Sequence, residues 1–560
     1  MMKSDIFPRK TGKGNFSGNM WYIYFMMMLL VDCSPPENPI KCSNIAKNCN
    51  ITNKYNAFPD STICRAASVE FPKTEKELVA IIARATKEKR KMKATTRFSQ
   101  SIPKLACPGA GDNNSVLIST KYLNQIVKVD KQNMTMTVDS GMTLQQLINE
   151  AAKVGLALPY TPYCTGAHGS TLRGLGSAVH DYVVCIRIVT PATPEEGYAI
   201  VRQLEEGDPD INAARVSLGV LGVISQVTLK LEPMFKRSIT YIGKDDANLG
   251  DEAVMFGSQH EFGDITWFPS EHRVLYRVDD RVPTNTPGDG LYDFLAFQTT
   301  DSVSLIEDRN AEEIQESRND ANGKCAKAIT SRVMTEAVGN GLKNNDSKED
   351  DLKTVCPWDP RVKGSFFHQT TFSISLSKVK GFIEDVQKLA NLEPKAMCVL
   401  GLYGGVVMRY MTASSAYLGK QDNSMEFDFI YYRSKDPLAP RLYQDVLEEI
   451  EQLGIFKYGA LPHWGKNRNV GFLGAINKYA KYREFLKVKK KYDPTGLFSS
   501  DWSDQILGLK DGLTITKEGC ASEGLCICSE DSHCAPSKGY FCQPGKVYKK
   551  ARVCTKINSN

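Results

Sequence analysis

Hydrophobic positions along this chain change period several times, and each change marks an element. Thr74-Glu-Lys-Glu77 is followed by Leu78, Ile81, Ile82 and Ala85. That is one apolar face at helical spacing, and it predicts a helix with Thr74 as N-cap and Glu77 at N3. Thr143 and Gln146 form a second capping signal and predict a helix over 144–153. Between these helices, residues 126–130 and 134–139 alternate as strands around a Lys-Gln-Asn turn. Residues 182–190 and 215–231 are β-rich, and 235–300 are strand-like and aromatic. Residues 301–355 are charged and read as helical or loose. Further on, strands are predicted at 365–375 and 396–411, and helices at 376–390 and 440–453. Capped helices, alternating strands and glycine-rich loops together read as α+β. No internal repeat is present.

Length divides this pattern into domains. A chain of 560 residues is too long for one core and implies two or three. The net charge of +6 is mild and unclustered, so it gives no nucleic-acid footprint. Sixteen cysteines are many for a cytosolic enzyme, and they cluster at both ends. Cys33, Cys42, Cys49 and Cys64 lie near the start. Cys520, Cys526, Cys528, Cys534, Cys542 and Cys554 lie in a tail over 506–560. This placement favours disulfides in an oxidising compartment, with fifteen possible pairings for the six tail cysteines. Zinc is the weaker alternative, because the tail lacks a repeated CxxC pair and has only His533 beside Cys534.

Residues 21–31 are eleven apolar residues without a charge. A membrane span needs about twenty, whereas a secretory h-region needs about 7–15. The first 33 residues therefore read as a signal region, with Met20 as an alternative start and no stable transmembrane anchor. Sequons at Asn50, Asn113, Asn133 and Asn345 agree with a secreted or endomembrane-lumenal glycoprotein.

The densest chemical signal is Gly166-Ala-His-Gly-Ser-Thr-Leu-Arg-Gly-Leu-Gly176, four glycines in eleven residues. Glycines let backbone N–H groups converge on an anion, and Ser170 and Thr171 add hydroxyl donors. The composition suits a pyrophosphate. The spacing is neither that of a Rossmann turn nor that of a P-loop, and a plain surface loop is the competing reading.

Its neighbours carry a resemblance. Lys93-Ala-Thr-Thr-Arg-Phe-Ser-Gln-Ser-Ile-Pro-Lys-Leu105 precedes it, and Ser217-Leu-Gly-Val-Leu-Gly-Val-Ile-Ser225 follows. Downstream come Met408-Arg-Tyr410, Pro462-His-Trp-Gly-Lys-Asn467 and Tyr492-Asp-Pro-Thr-Gly-Leu-Phe498. In this order the chain resembles the L-gulonolactone oxidase family of flavoenzymes, and especially its plant members. These have the vanillyl-alcohol-oxidase-type FAD fold.

The resemblance implies a two-subdomain FAD-binding domain over 57–233, a sheet-plus-helices cap domain over 234–505 that forms the substrate site, and the disulfide-rich tail. It implies that Thr96, Arg97, Phe98, Ser99, Gln100 and Ser101 in one loop, with Gly166, Ala167, His168, Gly169, Ser170 and Ser177 in the other, wrap FAD. Gly219, Gly222, Val223 and Ile224 would lie near it. It also implies oxidation of L-gulono-1,4-lactone, or a related aldonolactone such as D-arabinono-1,4-lactone, to ascorbate or its analogue. The electrons would pass to O₂ or to an acceptor protein.

Three departures qualify these expectations. Gln100 stands where relatives with covalent flavin carry His, so FAD is expected to be non-covalent. Ala167 lies where the residue type controls oxygen access. Val407-Met-Arg409 replaces the Glu-x-Arg of animal enzymes, keeping the Arg and losing the carboxylate; Glu426 and Asp428 are the alternative acceptors. Arg409 is expected to hold a sugar oxygen with its donor fork. Lys466 is expected to stabilise negative charge beside the flavin, and His463 to orient substrate or flavin, or to take a proton. The competing readings are a strand-end charge for Arg409, a structural His packed by Trp464 for His463, and a loop brace for His168. For the whole chain, the competitors are a flavin oxidase of another carbohydrate or alditol and a weakly active flavin-binding protein.

Overall fold

A computed structural model of the chain describes residues 40–51, 64–95, 103–108, 114–159, 179–287, 340–344, 368–397, 405–431, 440 and 443–557. The signal region, Cys33, the 96–101 loop and the whole 166–176 loop lie outside the described residues.

The first half holds two five-stranded sheets. The first comprises β1 (Ile40–Asn44), β2 (Lys47–Ile51), β3 (Cys64–Glu70), β4 (Lys91–Thr95) and β5 (Ser115–Ser119). Its order is β1-β2-β3-β5-β4, with β3, β5 and β4 parallel. Helix Glu75–Lys87 buries Leu78, Ile81, Ile82 and Ala85, the face its periodicity predicts. Thr74 Oγ1 accepts the Glu77 N–H at 3.1 Å. The Glu77 carboxylate reaches one residue further back, to the Lys73 N–H at 2.8 Å.

The second sheet comprises β6 (Ile126–Asp130), β7 (Thr135–Asp139), β9 (Val183–Pro191), β10 (Ala199–Glu205) and β11 (Val223–Lys230), in antiparallel order β10-β9-β11-β7-β6. Helix Leu144–Lys153 opens with the complete Thr143–Gln146 capping box. The strand predicted over 215–231 is shorter than expected. Leu218 and Gly219 take positive φ (50° and 62°), which breaks the extended run before β11 begins. A two-residue pair, β8 (Leu156–Ala157) with β12 (Glu232–Pro233), closes this half.

The second half is built on one antiparallel sheet of eight strands. These are β13 (Lys236–Asp245), β14 (Asp264–Phe268), β15 (Arg273–Val282), β16 (Asn340–Asn344), β17 (His368–Ser375), β18 (Val406–Met411), β19 (Ser424–Tyr431) and β20 (Leu461–Pro462). Their order is β16-β13-β15-β14-β18-β19-β17-β20. The continuous strand-like stretch expected over 235–300 is interrupted by helix Leu249–Phe256. The strand expected from 396 begins at 406, after a 3₁₀ turn over 394–397.

Alternation gives the sheet two unlike faces. On one, Ile265, Trp267, Phe372, Met408, Phe427 and Phe429 pack against helices Leu249–Phe256, Leu376–Leu392 and Gln444–Gln452. The other carries charged and hydroxyl side chains that are also buried: Arg237, Arg277, Asp264, Asp279, Thr371, Arg409, Glu426 and Asp428.

The tail is fastened by three disulfides, Cys520–Cys526, Cys528–Cys542 and Cys534–Cys554, which resolves the pairing and removes the zinc alternative for these six residues. It docks on helix Gln444–Gln452, where buried Glu449 accepts the backbone N–H groups of Lys546, Val547 and Tyr548 at 2.6, 2.7 and 2.6 Å. Upstream, Cys42–Cys49 and Cys64–Cys107 are also bonded. Among the described residues, no helix is long and apolar enough to cross a membrane.

Candidate active site

The polar face of the eight-stranded sheet is a chain of alternating charges. Arg237 bonds Asp279. Arg277 lies 3.3 Å from Asp279 and bonds Asp264 at 2.6 Å. On the neighbouring strands, Arg409 meets Glu426 at 3.4 Å and Asp428 at 3.2 Å. Lys466 closes the series with a 3.0 Å bond to Asp428. Four cations therefore face four carboxylates in a largely dry setting. Such pairs add little net stability but fix geometry, and removing one partner is expensive.

Register explains how Arg409 acquires its acceptors. Arg409 stands in the middle of β18, not at a strand end, directly opposite Glu426 of β19. Val407, where the resemblance expects Glu, stands opposite Asp428. The carboxylate missing from the Arg409 strand is thus supplied by the next strand, on the same face. From the sequence, Glu426 and Asp428 are expected only as alternative acceptors, with no motif to support either. Their signal is the alternation Ser424-Met-Glu-Phe-Asp-Phe429, in which every second residue is polar.

Asp428 is 1% exposed and also accepts the Thr371 hydroxyl at 2.7 Å. Burial alone would raise its pKa. Lys466, Arg409 and the Thr371 bond outweigh that and hold the carboxyl well below the usual carboxylate range. Glu426 is also lowered: burial opposes ionisation, but the surrounding Lys420, Lys466 and Arg409 charges prevail. Arg409 keeps one buried donor, Nε, without a hydrogen-bond partner among the described residues. An unpaired buried N–H is costly unless a ligand oxygen meets it.

The segment after β20 delivers His463 and Lys466. The His463 N–H bonds the Thr371 carbonyl at 2.9 Å. The Asn467 side chain bonds both the N–H and the carbonyl of Thr371, at 2.8 and 2.6 Å. This loop is therefore sewn to β17. The imidazole is not packed by Trp464, which instead stacks on Phe472 and Tyr479 and bonds the Leu418 carbonyl. Nδ1 of His463 accepts the Gly465 N–H at 3.1 Å, which puts the proton of a neutral ring on Nε2. Burial pushes its pKa down to about 4, with Glu426 opposing. His463 is therefore a neutral Nε2–H donor, suited to orienting a ligand rather than taking its proton.

The tail braces the same loop from behind. Arg468 bonds Glu451 and lies so close to Gly524 that a Cβ there would sit 2.2 Å from Arg468 Cδ. The Val470 N–H bonds the Gly524 carbonyl, and the Asn469 side chain bonds the Leu513 carbonyl.

On the first-half side, the described residues include the Gly219–Ile224 turn that the resemblance sets near FAD. Gly222 has φ +144°, and a Cβ there would lie 2.4 Å from the Val189 carbonyl. Gly219, Val223 and Ile224 flank it, and Val223 is buried. Lys93 Nζ spans from β4 to the Leu218 and Phe498 carbonyls (3.5 and 3.0 Å). Burial pulls its pKa down to about 7. Thus the strand that leads into the 96–101 loop lies beside the Gly219–Ile224 turn. Ser140 Oγ, on the residue whose N–H bonds the Ser225 carbonyl, is buried without a hydrogen-bond partner among the described residues. The Cβ-excluding contact at Gly222 is with the neighbouring strand, so it reports close strand packing at this turn. Thr96, Arg97, Phe98, Ser99, Gln100, Ser101, Gly166, Ala167, His168, Gly169, Ser170 and Ser177 lie outside the described residues.

The two halves meet next to the charge chain. The β18–β19 connection returns to the first half, where Ser414 Oγ bonds Asp181 (2.6 Å) and contacts His180 Nε2 (3.0 Å). The Tyr417 N–H bonds the Asn212 carbonyl. Arg409, Glu426, Asp428, His463 and Lys466 are thereby placed together on the cap sheet.

Comparison with known proteins agrees with this layout. Residues 66–200 match the family described as FAD binding domain, and 227–506 match D-arabinono-1,4-lactone oxidase. Residues 517–556 match the C-terminal domain of L-gulonolactone oxidase 2-like proteins. Probable L-gulonolactone oxidase 6 of Arabidopsis thaliana is 54% identical, over 99% of this chain and 98% of its own length. L-gulonolactone oxidase 5 of the same plant is 54% identical over 96% of each. Among solved structures, a solvent-stable cholesterol oxidase superposes with TM-score 0.61 at 14% identity, covering 85% of this chain and 100% of its own. That likeness concerns the fold alone.

Proposed function

The chain belongs to the plant L-gulonolactone oxidase-like family of FAD-dependent aldonolactone oxidoreductases, and from that premise we propose that it oxidises L-gulono-1,4-lactone or a close aldonolactone at the C2 hydroxyl. The product is a 2-keto lactone that tautomerises to ascorbate or its analogue. The observation that carries this reading is the Arg409 guanidinium, whose terminal nitrogens pair with Glu426 and Asp428 and whose Nε has no hydrogen-bond partner among the described residues.

Bound FAD supplies the hydride acceptor. Arg409, oriented by its two carboxylates, donates through Nε to a lactone oxygen. His463 donates from Nε2 to a second oxygen and so fixes which carbon faces the cofactor. Lys466, anchored by Asp428, sets a positive charge where negative charge develops. The tail and Asn467 hold this loop rigid, which preserves near-attack geometry.

We further propose that FAD is held without a covalent bond, since Gln100 replaces the linking His. O₂ is the proposed acceptor, giving hydrogen peroxide. The protein is proposed to act outside the cytosol, a reading supported by the five disulfides among the described residues. The test is a panel of aldonolactones, free sugars and alditols offered to the purified flavoprotein. Peroxide release and dye reduction are read side by side. Turnover of lactones with peroxide supports the proposal. Dye reduction without peroxide assigns an acceptor protein instead, and turnover of alditols alone overturns the lactone reading.

A further inference from the structure

The polar face of the cap sheet continues past Glu426 into a cavity that the lactone chemistry does not use. Ser373 stands opposite Glu426 in register, and Ser424 lies two residues before it on β19. Both line a cavity of about 110 Å³ with Lys378, Lys420, Asp422, Tyr458 and Lys478. Ser373 and Ser424 are only 3% and 4% exposed, and neither hydroxyl has a hydrogen-bond partner among the described residues. Two buried hydroxyls without partners on residues that line one cavity are a standing cost of folding.

Charge indicates what that ligand is. Three lysines line the cavity against one acidic residue, Asp422. Lys478 Nζ spends two bonds on the Ile455 and Ala460 carbonyls (2.7 and 2.9 Å), and Lys378 spends one on the Tyr458 carbonyl (3.3 Å). Lys420 has no carboxylate within ion-pair distance among the described residues. Burial lowers the pKa of Lys478 to about 8, with the charge of Lys378 adding to the effect. Burial also lowers Lys420 against the pull of Glu426. Among the described residues that line the cavity, the three lysines outnumber the one carboxylate.

We propose that this cavity is a subsite for a small oxyanion, a carboxylate or phosphate group, next to the oxidation centre. The Ser373 and Ser424 hydroxyls and the Lys378, Lys420 and Lys478 ammoniums are its donors. Its position beside Glu426 makes it a specificity element: a lactone bearing an anionic substituent spans both sites. This role rests on the lactone reading above; the binding of an oxyanion does not.

The experiment uses the full-length flavoprotein, Ser424→Ala and Lys378→Gln. Inorganic phosphate and acetate are titrated by calorimetry at low ionic strength. A neutral aldonolactone and one bearing a carboxylate are then compared by kcat/KM. Saturable anion binding is expected in the parent protein and is expected to weaken about tenfold in each variant, the usual scale for one charge-assisted bond. If the anion belongs to the substrate, the variants lose about tenfold in kcat/KM for the anionic lactone and stay within about twofold for the neutral one. Phosphate then competes with the anionic lactone. If it is a free ion, phosphate binds and both lactones respond alike, which supports the subsite and assigns it to a free ion. No saturable binding, or binding equal in parent and variants, overturns the proposal. Phosphate binding without turnover of any lactone sinks the lactone reading and leaves this subsite standing.

Discussion

The two faces of the eight-stranded cap sheet are made by the same strands, one residue apart, and both are buried. On one face Phe372, Phe427 and Phe429 meet Phe382 of helix Leu376–Leu392, with ring centroids 4.7–6.4 Å apart. On the other, Arg409, Glu426, Asp428 and Thr371 are held by one another and by their neighbours in the charge chain. The first face gains stability from each area of apolar surface removed from water. The second roughly balances desolvation against pairing, and yields fixed donors instead. Loss of a side chain should therefore act on different observables on the two faces.

The largest effect is expected from Arg409→Met. It leaves Glu426 and Asp428 with one cation fewer on a buried face. Stability should fall by about 3–5 kcal/mol, and kcat/KM for gulonolactone by about 10³-fold or more. Denaturant titration and steady-state kinetics on the same preparation measure both. Phe382→Ala is the counterpart on the apolar face. An equal loss of about 3–5 kcal/mol is expected, with kcat/KM per flavin unchanged. A large kinetic defect there would erase the distinction between the faces.

Lys466→Met should be milder in stability, because Asp428 keeps Arg409 and the Thr371 hydroxyl. Its kcat should drop about 10²-fold, with a melting temperature near that of the parent. The last effect concerns pH. His463 is held neutral with its pKa pushed down to about 4, whereas an unfolded His titrates near 6.5. Between these values the unfolded chain binds the extra proton. The stability contributed by neutral His463 is thus complete above about pH 6.5, is lost as pH falls toward 4, and levels off below. The slope is at most about 1.4 kcal/mol per pH unit. Thermal unfolding from pH 4 to 8 should show this slope in the parent and a shallower one in His463→Asn.

The same contrast governs what could be read from the sequence. Helix Glu75–Lys87 and helix Leu144–Lys153 were legible because cap and apolar face agree within one segment. The tail was legible as disulfide-bonded but not in its pairing, since three-dimensional proximity decides among the fifteen possibilities. Helix Leu249–Phe256 was hidden in an aromatic stretch that reads as strand. Arg409, His463 and Lys466 were found through motifs, and the structure brings them onto one surface. The partnership of Arg409 with Glu426 and Asp428 was not legible. It depends on the register of β18 against β19, and alternating acidic residues in a strand ordinarily mean a face turned to water. The tail's brace on Arg468 was missed for the same reason, because a contact between Gly524 and Arg468 leaves no local pattern.

The most direct test is anaerobic mixing of the flavoprotein with L-gulono-1,4-lactone, following absorbance at the flavin maximum in the parent, Asp428→Asn and Val407→Ala. The account expects rapid bleaching in the parent, nearly unchanged bleaching in Val407→Ala, and a rate at least about 10²-fold lower in Asp428→Asn. A parent flavin that does not bleach, or an Asp428→Asn variant that bleaches at the parental rate, would contradict it.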